Sequence, residues 1–155
     1  MAKYSAIDIA DYLLSLENDV EAGEVLSHLK LQKLLYYAQG FHLALYDEPL
    51  FDEKIEAWTH GPVCYDVYQK YKKYRSGRIP PQGSINLEKY DNRVKELLNE
   101  IHSVFGQFSA WKLRNMTHGE WPWRQAWERN QAGYEEITHE ELKEYFKTQL
   151  VHDDN

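Results

Sequence analysis

Two short segments hold the residues best suited to chemistry. The first runs Glu56-Ala57-Trp58-Thr59-His60-Gly61-Pro62-Val63, and the second Thr117-His118-Gly119-Glu120-Trp121-Pro122-Trp123. Each sets a histidine in a turn beside tryptophan and proline. Imidazole titrates near neutrality, and a rigid turn can hold it for acid–base work. An enzyme built here would use His60 and His118 with Glu56 as its carboxylate. The same residues also make two tight turns fastened by ring packing, and the residue types favour packing over catalysis.

Other chemistries lack their spacing. His28, His42, His60, His102, His118, His139 and His152 are spread so that no two lie within five residues, and Cys64 is the single cysteine. No structural zinc pattern follows from that set, so neither a metal nor a cofactor is expected. There is no GxGxxG, no GxxxxGK[ST] and no GxSxG, so phosphate loops and the serine-hydrolase elbow are missing. Cys64 follows Gly61-Pro62-Val63 at the expected start of a helix, where a thiolate is favoured. A lone cysteine more commonly serves as a small buried hydrophobe.

The elements that must position these residues are mostly helices. Ser5 with Asp8 caps a first helix over about 5–18, followed by a polar turn from Asn18 to Gly23. Ser27 caps a second over about 28–46. Leu31, Leu34, Leu35, Ala38, Phe41, His42 and Leu45 form one wide apolar arc on it, and Leu29, Tyr36 and Leu43 a second stripe on the far side. A helix apolar on both sides is usually buried, so this one is central or its second stripe meets a partner. His42, inside the main arc, reads as a hydrogen-bonded core histidine. Ile55 to Trp58 alternates as a short strand. Thr59 to Pro62 is a turn into a third helix, with Pro62 near its first position and Val63, Val67 and Tyr71 facing inward.

Tyr74 to Asn86, with Gly77, Pro80, Pro81 and Gly83, reads as a long exposed loop. Asn86 caps a fourth helix over about 87–105 with one apolar face, Leu87 and Val104 included. Ser109 caps a fifth carrying Trp111, Leu113 and Met116. Thr117 to Trp121 is a turn, and Pro122 starts a short helix with Trp123, Ala126 and Trp127. Tyr134 to Ile137 is a second strand, and Thr138 with Glu141 forms a capping box for a last helix holding Leu142, Tyr145 and Phe146. The fold class expected is mainly α: six or seven helices with a small two-stranded β element, as one domain over 1–150 and a frayed tail over 151–155.

Composition narrows the partners. Acids outnumber bases 25 to 18, giving a net charge of −7, which disfavours general nucleic-acid binding. The single basic stretch, Lys70, Lys72, Lys73, Arg75 and Arg78, reads as a solvated helix end. The stretch from Met1 to Asp19 is not a signal peptide, since Asp8 and Asp11 break its apolar run. No run of about eighteen apolar residues spans a membrane. One cysteine fits a reducing cytoplasm. Twelve Tyr and five Trp supply rings of the kind found in cores and at protein interfaces alike.

Lys30-Leu31-Gln32-Lys33-Leu34-Leu35-Tyr36-Tyr37-Ala38-Gln39-Gly40, Pro49-Leu50-Phe51, Ile55 to Trp58, His60 to Val63, and Trp111 with Thr117-His118 and Pro122-Trp123 follow one another as in the Panacea-domain antitoxin family. That family takes in SocA-like antitoxins and phage-associated GepA-like proteins, and the resemblance covers nearly the whole chain. It implies a mostly helical antitoxin with a small β element, of the kind encoded beside a toxin and in prophages. The implied partner is a cognate toxin protein, such as a translation-blocking small alarmone-synthetase-like enzyme. The toxin would be blocked by direct contact or, as a second reading, delivered to the ClpXP protease. The family's recurring polar and aromatic positions put partner contacts at Lys33, Tyr36, Glu56, Trp58, His60, Thr117, His118 and Trp123. For each of these the alternative role is to maintain the fold.

Overall fold

The computed structural model describes residues 2–16, 27–74, 79 and 85–150. Its elements are α1 (Ala6–Ser15), α2 (His28–Tyr46), β1 (Ile55–Trp58), β2 (Gly61–Cys64), α3 (Tyr65–Tyr71), α4 (Asn92–Phe105), α5 (Ala110–His118), α6 (Trp121–Arg129), β3 (Glu135–Ile137) and α7 (His139–Lys147). The expected turn at Asn18–Gly23, most of the loop between Tyr74 and Asn86, Arg75, Arg78 and the tail 151–155 lie outside the described residues.

The double apolar stripe makes α2 the axis of the fold. Every residue from Lys30 to Gly40 is buried, with α1, α3, α4, α5, α7 and β2 packed around it. Leu45 departs from the expected arc and is exposed, because it sits in the last turn, just before Asp47 ends the helix in the left-handed conformation. Gly40 lets α7 approach closely: a Cβ there would lie 2.2 Å from the Phe146 ring.

A helix buried on all sides must find partners for its polar residues. Gln39 accepts from Leu50 N at 2.7 Å and donates to the Phe51 carbonyl at 2.7 Å. Gln32 does the same at the end of β2, accepting from Cys64 N at 2.7 Å and donating to the Cys64 carbonyl at 3.4 Å. His42 Nδ1 donates to the Glu48 carbonyl at 2.7 Å, and burial lowers its pKa. It is the core histidine its place in the arc implies.

The capping residues fall where expected. Ser5 with Asp8 and Thr138 with Glu141 close capping boxes on α1 and α7, and Ser27 and Ser109 cap α2 and α5. The fourth helix starts later than Asn86 suggests. Asn86 caps only a 3-10 turn, Leu87–Lys89. Tyr90 is then extended and Asp91 caps α4. The break has a tertiary cause: Tyr90 is drawn inward to stack on Tyr4 at 5.5 Å and to donate to the Asp8 carbonyl at 2.6 Å. Leu87 is left exposed by this, and so is Val104 near the other end of α4.

The sheet has three strands in the order β2-β1-β3, all antiparallel. The two expected strands pair through Ile55 opposite Ile137. The additional strand, β2, replaces the expected run from turn straight into helix, and α3 begins at Tyr65. Pro62 is tolerated because β2 is an edge strand, where a missing N–H need not cost a ladder bond.

Candidate partner-binding cleft at the first hairpin

The β1–β2 hairpin turns on Thr59 and His60, both exposed, and closes at Gly61. Glycine is required there twice over. Its φ is +115°, and a Cβ would stand 2.6 Å from Lys33 Cε and 2.9 Å from Thr117 Oγ1. The hairpin is thus pressed onto α2 and the end of α5. Trp123 Nε1 donates to the Trp58 carbonyl at 2.8 Å, which locks α6 to the same turn. The His118 ring stacks on Trp123 with centroids 4.0 Å apart, and His118 also hydrogen-bonds the Thr59 backbone. Two segments far apart in sequence therefore form one structure. The turn expected at Thr117–Trp121 is shorter than that, because α5 continues through His118 and only Gly119 and Glu120 separate it from α6.

Beside the hairpin lies a cleft of about 640 Å³. Trp58, Tyr68, Trp111 and Tyr134 give it an aromatic lining. Trp58 meets Tyr68 and Tyr134 edge-on at 4.8 and 5.1 Å. Trp111 and Tyr134 remain 63% and 64% exposed. The Arg114 guanidinium lies 4.6 Å over the Trp111 ring, and its Nε donates to His60 Nδ1 at 3.3 Å. The charged groups lining the cleft are Arg114 and Lys72, beside the imidazoles of His28 and His60, and among the described residues no carboxylate lines it. In a chain of net charge −7 this is a local reversal of sign.

Beneath the hairpin the polar accounting fails. Lys33 Nζ and His118 Nε2 are buried without a hydrogen-bond partner among the described residues. Burial pushes the Lys33 ammonium down to about 7, and the positive charge of Arg114 adds to the effect. Burial also lowers His118, with Arg114 and Lys33 contributing. His28 falls to about 4 through burial and the charge of Lys33. One turn further along α2, Tyr36 and Tyr37 donate to the two Glu120 carboxylate oxygens at 2.8 and 2.9 Å. Burial raises Glu120 to about 7 against the lowering effect of those phenols.

Of the eight residues expected at the partner surface, Lys33, Tyr36 and Thr117 have no exposed area, and Trp123 is buried. Lys33, Thr117 and Trp123 hold the hairpin from behind, while Tyr36 is bonded to Glu120. His60 is exposed, Trp58, Glu56 and His118 are half-buried, and these four reach the surface. The three residues of the enzymatic alternative are occupied with neighbours: Glu56 accepts from Trp58 Nε1 at 2.9 Å, His60 from Arg114, and His118 stacks on Trp123. Cys64 is buried, and burial raises its thiol to about 12. Sequence reasoning missed Arg114, Trp111 as a surface residue, Tyr134 and Glu120. The spacing of Trp111 and Arg114 on α5 was a usable signal, since residues three apart are neighbours on a helix.

The cleft is aromatic, cationic and exposed, and a helical body braces it. The sequence profile of the SocA-like antitoxins, the Panacea domain, matches residues 31–124, and the chain belongs to that family. It is 30% identical over 109 residues to antitoxin SocA of Caulobacter vibrioides, a match covering 63% of this chain and 58% of that relative. No solved structure matches it. Among the described residues, no helix is long and apolar enough to cross a membrane.

Proposed function

We propose that this chain is an antitoxin that binds its cognate toxin directly and blocks it, with the hairpin cleft as the contact surface. Family membership supports the antitoxin role. The observation that carries the choice of surface is the grouping of exposed Trp111 and Tyr134 with Arg114 around one cleft. Tryptophan, tyrosine and arginine are the side chains that dominate binding energy at protein interfaces. The net charge of −7 acts at long range on a basic toxin, such as a small alarmone-synthetase-like enzyme acting on nucleotides or tRNA, while the cationic cleft itself takes an acidic or aromatic segment of that toxin.

The test pairs this gene with its neighbouring reading frame. Growth arrest by the neighbour, relieved by this chain, with a complex that survives gel filtration, is the expected result. Relief without a complex that depends on ClpXP would replace direct blocking by proteolytic delivery. An absence of both toxicity and relief would refute the antitoxin reading.

A further inference from the structure

We propose that the hairpin cleft binds a nucleoside phosphate, independently of the toxin. Four observations converge on this ligand. The cleft volume of about 640 Å³ falls within the roughly 300–1,000 Å³ usual for small-molecule sites. Its rings offer open flat faces, Trp111 and Tyr134 above all, and bases stack on such faces whatever their identity. Its charged lining is cationic, through Arg114 and Lys72, and among the described residues no lining carboxylate competes for those cations.

The fourth observation lies underneath. Among the described residues, Lys33 Nζ and His118 Nε2 are buried without a hydrogen-bond partner, directly behind the turn that forms the cleft wall. An unpaired buried ammonium destabilises a fold. Lys33 does not itself line the cleft, but where it is protonated its charge adds to that of Arg114 behind the cleft wall. An anion in the cleft offsets that charge. A single carboxylate would meet Arg114 alone, whereas a polyphosphate spans Arg114 and Lys72 on the cleft lining.

Calorimetry and tryptophan fluorescence on the full chain test the proposal, with ATP, adenosine, tripolyphosphate and hexaglutamate as probes at matched ionic strength. The expected result is saturable ATP binding, with adenosine and tripolyphosphate each at least about tenfold weaker, since each offers only half of the recognised chemistry. Arg114→Met and Trp111→Ala should each weaken ATP at least about tenfold while the melting temperature holds. Absence of ATP binding at millimolar concentration would overturn the proposal, as would ATP binding unchanged in both variants. Tripolyphosphate binding as tightly as ATP would remove the role of the rings. Tighter binding of hexaglutamate than of ATP would reassign the cleft to an acidic protein segment. Toxin neutralisation is read separately, so these outcomes leave the antitoxin reading untouched.

Discussion

Two polar positions of α2, Gln39 and Lys33, are buried to the same depth and treated in opposite ways. Toward its C-terminal end, Gln39 uses both amide atoms to hold the backbone at Leu50 and Phe51, and His42 fastens Glu48. Toward its N-terminal end, Lys33 is equally buried and has no hydrogen-bond partner among the described residues. Gln39 behaves as structure, as Gln32 does beside β2, because each replaces water with protein partners. Lys33 lies behind the hairpin turn, and there the fold tolerates an unpaired lysine. Local violations of satisfied burial concentrate at functional sites, and the contrast therefore supports the proposal that the hairpin end of the molecule carries the recognition surface.

The contrast is broken most sharply at Gln39. Gln39→Ala leaves the Leu50 N–H and Phe51 carbonyl buried without partners and opens a cavity, for an expected loss of roughly 4 kcal/mol. Urea unfolding measures it, and a loss below about 1 kcal/mol would show that those groups find water. Gly61→Ala comes next. The positive φ and the contacts with Lys33 and Thr117 predict a cost of about 1–3 kcal/mol, seen as a lower melting temperature.

Lys33→Met should move the other way and stabilise the protein. The sign follows from the pKa, which is near 7 in the fold against 10.5 for an ordinary lysine. Between those values the unfolded chain holds a proton that the native state lacks, so stability from this group rises with pH at on the order of 1 kcal/mol per unit. The advantage of Lys33→Met is therefore largest at pH 7 and below, and shrinks as the pH is raised toward 10. Glu120, raised to about 7, lowers stability as pH climbs from 4.5 to 7, and it cancels when variant and parent are compared at the same pH. A pH-independent difference between them would show that Lys33 stays charged. The smallest stability effect is expected for Trp111→Ala. Its ring is 63% exposed, so the change should stay within about 0.5 kcal/mol while recognition suffers.

Much of the frame was legible because it rests on local rules. The double stripe located α2 from His28 to Tyr46, the capping residues Ser5, Ser27, Ser109 and Thr138 marked their helix starts, and alternation found β1. What was not legible depends on tertiary contact. Gly61-Pro62 has the local chemistry of a breaker, and only pairing with β1 makes it a strand. Tyr90 interrupts an otherwise helical pattern because Tyr4 and Asp8 hold it. The two histidine turns were found as segments, but their union at one hairpin was invisible, and so was the cleft that unites Arg114, Trp111 and Tyr134 with it. The negative net charge was a poor guide to that cleft, since a sum over the chain hides a local excess of cations.

The central claim is that the hairpin cleft is the surface that recognises the partner. Its most direct test is the Trp111→Ala/Arg114→Glu double variant, expressed with the toxin from the neighbouring reading frame and assayed for growth rescue and for a complex on gel filtration. Both changes lie on exposed or half-buried side chains, so the melting temperature should stay close to that of the parent. The account predicts that rescue and complex are both lost while the fold is kept. Full rescue with an intact complex would contradict it and move the contact surface elsewhere on the molecule.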